Sequence, residues 1–170
     1  MRILRSSVVL VKKDDQFLLG FNKKGFNKEK WSGFGGVLQP KEDLKMCALR
    51  NTKDQCGLTL EKLEKVGKVE VKFAGVQELV QIHVFISDAF SGDVVESKDM
   101  RSQWFTVENF PFDNMWQDAK FWLPAIAEGK KVKGFFVYQN EDLIYHDLNT
   151  NAFSNKILRA RNLSRASFRR

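Results

Sequence analysis

Cysteine and histidine are scarce in this 170-residue chain: Cys47, Cys56, His83 and His146 are all there are. Cys47 and Cys56 stand nine residues apart; at about 100° per residue they point to opposite sides of one helix and do not pair with each other. The two histidines have no cysteine or acid partners at zinc-ligand spacing, so a zinc centre is not expected. Ser6, Ser7 and Ser32 belong to no nucleophile-elbow pattern, which removes the serine hydrolases. Long hydrophobic runs are also missing. Near the start only Val8 to Val11 is continuously apolar before Lys12 and Lys13, too short for the core of a signal peptide or for a membrane span. These absences point to an intracellular, reducing compartment, cytoplasmic or nuclear. No repeat, low-complexity block or long linker divides the chain.

What is present is an ordinary globular composition, 43% hydrophobic and 29% charged, of a length that suits one domain with a self-sufficient core. The net charge of +7 is unevenly placed. Lys156, Arg159, Arg161, Arg165, Arg169 and Arg170 lie in residues 152–170 without any acid; the remainder holds 22 basic residues against 21 acidic ones. The organisation expected is therefore a domain over 1–151 and a basic tail over 152–170. Attraction to RNA or to an acidic protein is expected in that tail through arginine–phosphate or arginine–carboxylate contacts, although a solvated basic end is an equally plain reading.

Strand-like runs fall at 6–12, 16–21, 69–73, 79–87, 102–107, 133–139 and 143–148. Two segments read as helices. The first covers about 43–56, with Leu44, Cys47 and Ala48 on an apolar stripe and Gly57 as its left-handed cap. The second covers about 117–129, with Phe121, Trp122 and Ala125 toward a core and Pro124 bending or delaying it. Many strands and two helices imply a mixed sheet covered on its faces, an α/β or α+β sandwich.

The segment GFGGVLQPKEDLKMCALRNTKDQCGL, Gly33 to Leu58, joins a glycine-rich turn to the first helix. Gly36 is followed after five residues by Glu42, and after seven more by Arg50, Asn51, Thr52, Lys53, Asp54, Gln55, Cys56, Gly57 and Leu58. This spacing resembles the Nudix box, a loop–helix–loop that cleaves nucleoside-linked diphosphates with a metal. Carboxylates at i, i+3 and i+4 share one helical face, and hard Mg²⁺ prefers their anionic oxygens. WSGFGG (31–36), KVGKVEVKF (65–73), HVFISDAFSG (83–92), VESKDMRSQWF (95–105) and PFDNMWQDAKFW (111–122) resemble the animal MutT-homologue family of oxidised purine nucleoside triphosphatases. The resemblance implies a Nudix fold, α/β, with a mixed β-sheet in an α/β/α sandwich.

The departures fall on the chemistry. By this resemblance Asn51, Asp54 and Gln55 occupy the three metal-binding Glu positions, lowering their formal charge from −3 to −1. An amide oxygen neither neutralises an ion nor takes a proton from water. Gly35, Gly36, Glu42, Arg50 and Gly57 keep the frame of the box. The metal expectation is accordingly none, or Mg²⁺ or Mn²⁺ held weakly by Asp54, Asp99 and Glu42. For the base, the family pattern is matched at Phe26, Phe73, Trp116 and Asp118, and departed from at Ser32, Ala119, Asn22, Val71 and Val80; Trp116 with Phe121 and Trp122 could equally fill core space. The reading is a Nudix-fold pseudoenzyme that binds a purine nucleotide, or a protein or RNA partner, with little or no hydrolysis. Its alternatives are a residual triphosphate diphosphohydrolase and an interaction module acting through the tail.

Overall fold

The structure, a computed structural model, describes residues 1–151. In chain order the strands are β1 (Arg2–Lys13), β2 (Gln16–Asn22), β3 (Trp31–Ser32), β4 (Phe34–Val37), β5 (Thr59–Leu60), β6 (Glu64–Phe73), β7 (Glu78–Ser87), β8 (Phe90–Ser91), β9 (Met100–Thr106), β10 (Lys131–Gln139) and β11 (Asp142–Asn151), with helices α1 (Leu44–Cys56) and α2 (Ala119–Ala127).

Among these residues a nine-stranded sheet runs β11-β10-β6-β7-β1-β2-β3, with β4 added to β1 and β9 to β2. It is mixed, because β1 runs parallel to β7 and β6 parallel to β10 while the other pairs are antiparallel. Strand β1 is the pivot. It holds β7 along one side from Arg2 to Val11; on the other its middle, Ser6 to Val9, pairs with β4 and its end, Val11 to Lys13, with β2. Its apolar residues Val8 to Val11 do not alternate with polar ones because the strand is covered on both faces. Leu10 enters a core with Val84, Leu123, Ile126 and Phe136, under α2. Val9 and Val11 enter a second core with Leu18, Phe34, Ala48 and Phe85, under α1. The α/β sandwich expected from the sequence is the one observed.

Three details differ from the sequence expectations. The short strands β3, β4, β5 and β8 carry too few branched or aromatic residues to signal themselves. Strand β4 forms because Gly35 pairs with Val8 where a Cβ would collide with the Ser7 backbone. Strand β6 begins at Glu64, ahead of the expected 69, because a bulge between Lys65 and Gly67 interrupts its alternation. Helix α2 buries Ala119, Trp122, Leu123 and Ile126, a spacing of three, four and seven. Phe121 and Ala125, expected in the core, are only half-buried, and Phe121 stacks on His146 with centroids 4.2 Å apart. The helix continues through Pro124 to Ala127. Both thiols are buried and unpaired, and burial pushes that of Cys56 up to about 11. The basic tail lies outside the described residues.

Candidate functional site

Helix α1 is held at both ends. The Asp43 carboxylate accepts from the Met46 amide at 2.8 Å, a side-chain N-cap, and Gly57 closes the C-terminus at φ 84° while donating to the Lys53 carbonyl at 3.0 Å. Ahead of the helix, Glu42 and Arg50 form a two-pronged pair, Nε to Oε2 at 2.7 Å and the terminal nitrogen to Oε1 at 2.9 Å. Glu42 Oε1 also accepts from the Gln39 amide at 3.1 Å. With its side chain only 8% exposed, the hydrogen bond from Arg50 is the main cause that holds the Glu42 carboxyl down at about 2. Glu42 thus ties the loop to the helix.

Helix α1 lies against β4, and the three box positions meet it there. Gln55 makes both hydrogen bonds of a carboxamide clasp to Gly35: its Oε1 accepts from the Gly35 N–H at 3.0 Å and its Nε2 donates to the Gly35 carbonyl at 2.9 Å. Asn51, 7% exposed, donates through Nδ2 to the Cys47 carbonyl at 2.9 Å. Its Oδ1 receives a longer bond from Gln55 Nε2, 3.4 Å, and lies 2.9 Å from where a Cβ on Gly36 would stand. Cys47 Sγ donates to the Gly36 carbonyl at 3.3 Å. Gly35 is thus held by the Gln55 amide and Gly36 by the Cys47 thiol, with Asn51 packed close against Gly36. Asp54, at the second position, is exposed.

These residues do not suit Mg²⁺. Its preferred ligands are several anionic oxygens, whereas the amide oxygens of Asn51 and Gln55 are neutral and already engaged with the loop and with each other. Nor does the alternative set assemble: Glu42 is taken up by Arg50, and Asp99 lies 2.9 Å from the Lys24 ammonium, whose hydrogen bond lowers the Asp99 pKa. Among the described residues, no three His, Cys, Asp or Glu side chains come together where they could share a metal ion.

The aromatic positions are gathered. Phe26, Phe73 and Trp116 form one cluster, with centroid separations of 5.7 Å for Phe26–Phe73, 5.2 Å for Phe26–Trp116 and 5.9 Å for Phe73–Trp116. Phe26 is 74% exposed and lies parallel to Trp116, 9° between planes, so it covers the ring on which a base would stack. Trp116 is fixed by its indole N–H to Asn27 Oδ1 at 2.8 Å, and Lys30 Nζ stands 5.1 Å from its centroid. Asp118 lies beneath, buried. Its Oδ2 accepts from the Trp122 indole at 2.7 Å and its Oδ1 from the Tyr138 hydroxyl, while its own amide donates back to that hydroxyl at 2.8 Å. Burial, then the Asp118 charge, push the Tyr138 phenol well above its usual range. Ser32 is partnered by another departed position: Asn22 Nδ2 donates to its Oγ at 3.0 Å, and Ser32 donates on to the Gly33 carbonyl at 2.9 Å.

Sequence reasoning missed the Gln55 clasp, the Asn22–Ser32 pair, and Asn27, Lys30 and Tyr138 as neighbours of the cluster. Only Tyr138 carried a signal, its place on the inward phase of β10. The others depend on loops whose approach no periodicity encodes.

A family model described as the NUDIX domain matches residues 1–126. The oxidized purine nucleoside triphosphate hydrolases of Danio rerio and Mus musculus are each 38% identical over 138 residues, 81% of this chain and 88% of theirs. Among solved structures, the MutT protein of Bacillus halodurans superposes with a TM-score of 0.76 at 18% identity, over 86% of this chain and 97% of that one, a likeness of fold. With loop, helix and sheet in the arrangement just described, the chain belongs to the Nudix family.

Proposed function

We propose that this Nudix protein is a pseudoenzyme that binds a purine nucleotide in the old cleft with little or no hydrolysis. The observation that carries the reading is the Gln55 clasp on Gly35 with Asn51 beside it. Gln55 commits its polar atoms to the loop, and Asn51 commits its own to the Cys47 carbonyl and to Gln55. A general base is typically worth about 10²–10⁴ in rate, and metal charge stabilisation adds to that.

The relationship to oxidised purine triphosphate hydrolases supports a purine ligand, with the base stacking on Trp116 in place of Phe26 and Lys30 favouring its phosphates. Asp118 shapes the floor of the pocket through Trp122 and Tyr138, and Ser32 and Ala119 stand where the family resemblance has an Asn and a second Asp that read the base edge, so two such readers are absent. Selectivity for an oxidised over an ordinary base is therefore modest in this reading, because selectivity arises from buried groups left unpaired by the wrong ligand.

A second reading has one observation in its favour: Asp54 is retained and exposed, so a reduced carboxylate set could support slow release of diphosphate. Both are tested by incubating the protein with ordinary and oxidised purine triphosphates in Mg²⁺ or Mn²⁺ while following melting temperature and diphosphate release. A raised melting temperature without release is expected. Release that disappears in Asp54→Ala would overturn the pseudoenzyme reading, and silence in both readouts would end nucleotide binding as an explanation.

A further inference from the structure

The sheet face that carries α1 is only partly covered. Helix α1 packs on β4, β1, β5 and β9, and among the described residues no helix lies over the same face of β6, β10 and β11. Register places Lys133, Lys68, His83 and Ser7 in one row across β10, β6, β7 and β1. The bulge in β6 brings Lys65 to this face, opposite Phe85. A shallow depression of about 320 Å³ opens here, lined by residues 65–68 of β6 and 131–133 of β10, with Lys65, Lys68, Lys131 and Lys133 among Val66, Gly67 and Val132. Arg5 stands in the next row, opposite Gln81. The acids on the same outer face are Glu70, 4.0 Å from Lys68 and accepting from Gln81 at 3.0 Å, Asp147, opposite Phe135, and Asp142, opposite Gln139 at the far end of β10.

Two further observations point to a ligand. His83 is 8% exposed and neither of its ring nitrogens has a partner; the hydroxyl of its neighbour Ser7 has none either. Buried polar atoms of this kind are uncommon and costly unless something arrives to satisfy them. Burial, then Lys65, Lys68 and Arg5, lower the His83 pKa, against an opposing effect of Glu70. Beside the lysines, on the same phase of β10 and β11, Phe135 and Tyr145 lie edge to face with centroids 6.2 Å apart, Tyr145 being 55% exposed.

We propose that this open sheet face binds single-stranded nucleic acid, with Lys65, Lys68, Lys131 and Lys133 along the phosphodiester backbone and Tyr145, braced by Phe135, stacking a base. Cations tracking a backbone beside an exposed aromatic ring are what sequence-tolerant binding of a single strand requires. A duplex keeps its bases inside and offers Tyr145 nothing to stack on. The depression is shallow, so it suits a strand lying across the strands better than a nucleotide enclosed. The nucleotide cleft plays no part, because Phe73, Trp116 and Tyr138 belong to the core on the opposite face.

The test is fluorescence anisotropy of the full chain with labelled oligouridylate and oligothymidylate over a range of salt. Binding that weakens with salt is expected. Lys65→Glu with Lys133→Glu should weaken it tenfold or more and reduce the logarithmic salt slope by about 1.4, the release of two counterions from a single strand. Tyr145→Ala should weaken it roughly 5- to 100-fold, the range for loss of one stacked base, while Tyr145→Phe retains it. Should the double charge reversal unfold, Lys65→Gln with Lys133→Gln makes the same comparison. Wild-type affinity in these variants, absence of strand binding, or displacement of the strand by tripolyphosphate at equal phosphate concentration would each overturn the proposal. A tighter complex with one sugar would say which nucleic acid is meant.

Discussion

Replacing Gln55 by glutamate restores the family's acid at one atom's cost, and the clasp says what that does. In the native chain Oε1 accepts from the Gly35 N–H at 3.0 Å and Nε2 donates to the Gly35 carbonyl at 2.9 Å. In Gln55→Glu the first bond survives, strengthened by charge, but the second becomes two oxygens facing each other with no proton between them. A lost hydrogen bond of this kind, with its acceptor left unpaired, costs about 1–3 kcal/mol. For a protein of this size that is a fall of roughly 2–12 °C in melting temperature. The penalty belongs to the carboxylate. Protonated, the new acid donates to the Gly35 carbonyl as the amide did, so its pKa is raised in the folded state above the ordinary value of about 4.3. By linkage, stability is near that of the native chain below that value and falls as pH rises through the folded-state pKa. Differential scanning fluorimetry of Gln55→Glu, Gln55→Ala and the native chain between pH 4 and 8 measures this. The glutamate variant should approach the native protein only at the acid end, and the alanine variant should stay low with no comparable pH dependence of its deficit. A glutamate variant that melts with the native protein at every pH would refute the clasp and, with it, the main support for a retired metal site.

The Glu42–Arg50 pair works with the opposite sign. Glu42 titrates at about 2 in the folded chain, so its contribution is fully present above the ordinary carboxylate pKa and is lost as pH falls toward 2; in melts from pH 5 to 2, Arg50→Gln should show a smaller acid-dependent loss than the native chain. Tyr138→Phe removes the hydroxyl that both accepts from the Asp118 amide and donates to its carboxylate; a destabilisation of about 1–3 kcal/mol is expected from urea unfolding, together with a change in tryptophan emission because Trp122 donates to the same carboxylate.

What was legible in the sequence depended on distance along the chain. Helix α1 could be read because its cap Gly57 and its stripe residues Cys47 and Ala48 are local, and the long strands announced themselves through consecutive branched and aromatic residues. The bulge at Lys65–Gly67 hid the first half of β6, since one extra residue shifts Val66 and Val69 out of a period-two pattern while both remain buried. The loss of acids at Asn51 and Gln55 was plain, yet what replaced them was not. A glutamine twenty positions from Gly35 gives no sign that it will clasp that residue's amide and carbonyl. The aromatic residues Phe26, Phe73 and Trp116 lie together in the fold, and the stacking of Phe26 on Trp116, which covers one face of that ring, is a property of the folded loop that the sequence pattern does not carry.

Strand β1 has a consequence for how the chain is made. Its residues leave the ribosome long before those of its parallel partner β7, which pairs Glu78 with Arg2 and Ser87 with Val11. A central strand rich in valine must wait, without its long neighbour, until more than half of the domain has been synthesised, and long-range pairing of this kind folds slowly because loop closure precedes its reward. The hairpin to β2 can form early, but it pairs only the end of β1. During translation the run Val8–Val11 therefore stays without its long partner, and the meeting of the first strand with the seventh is a slow, long-range step of folding.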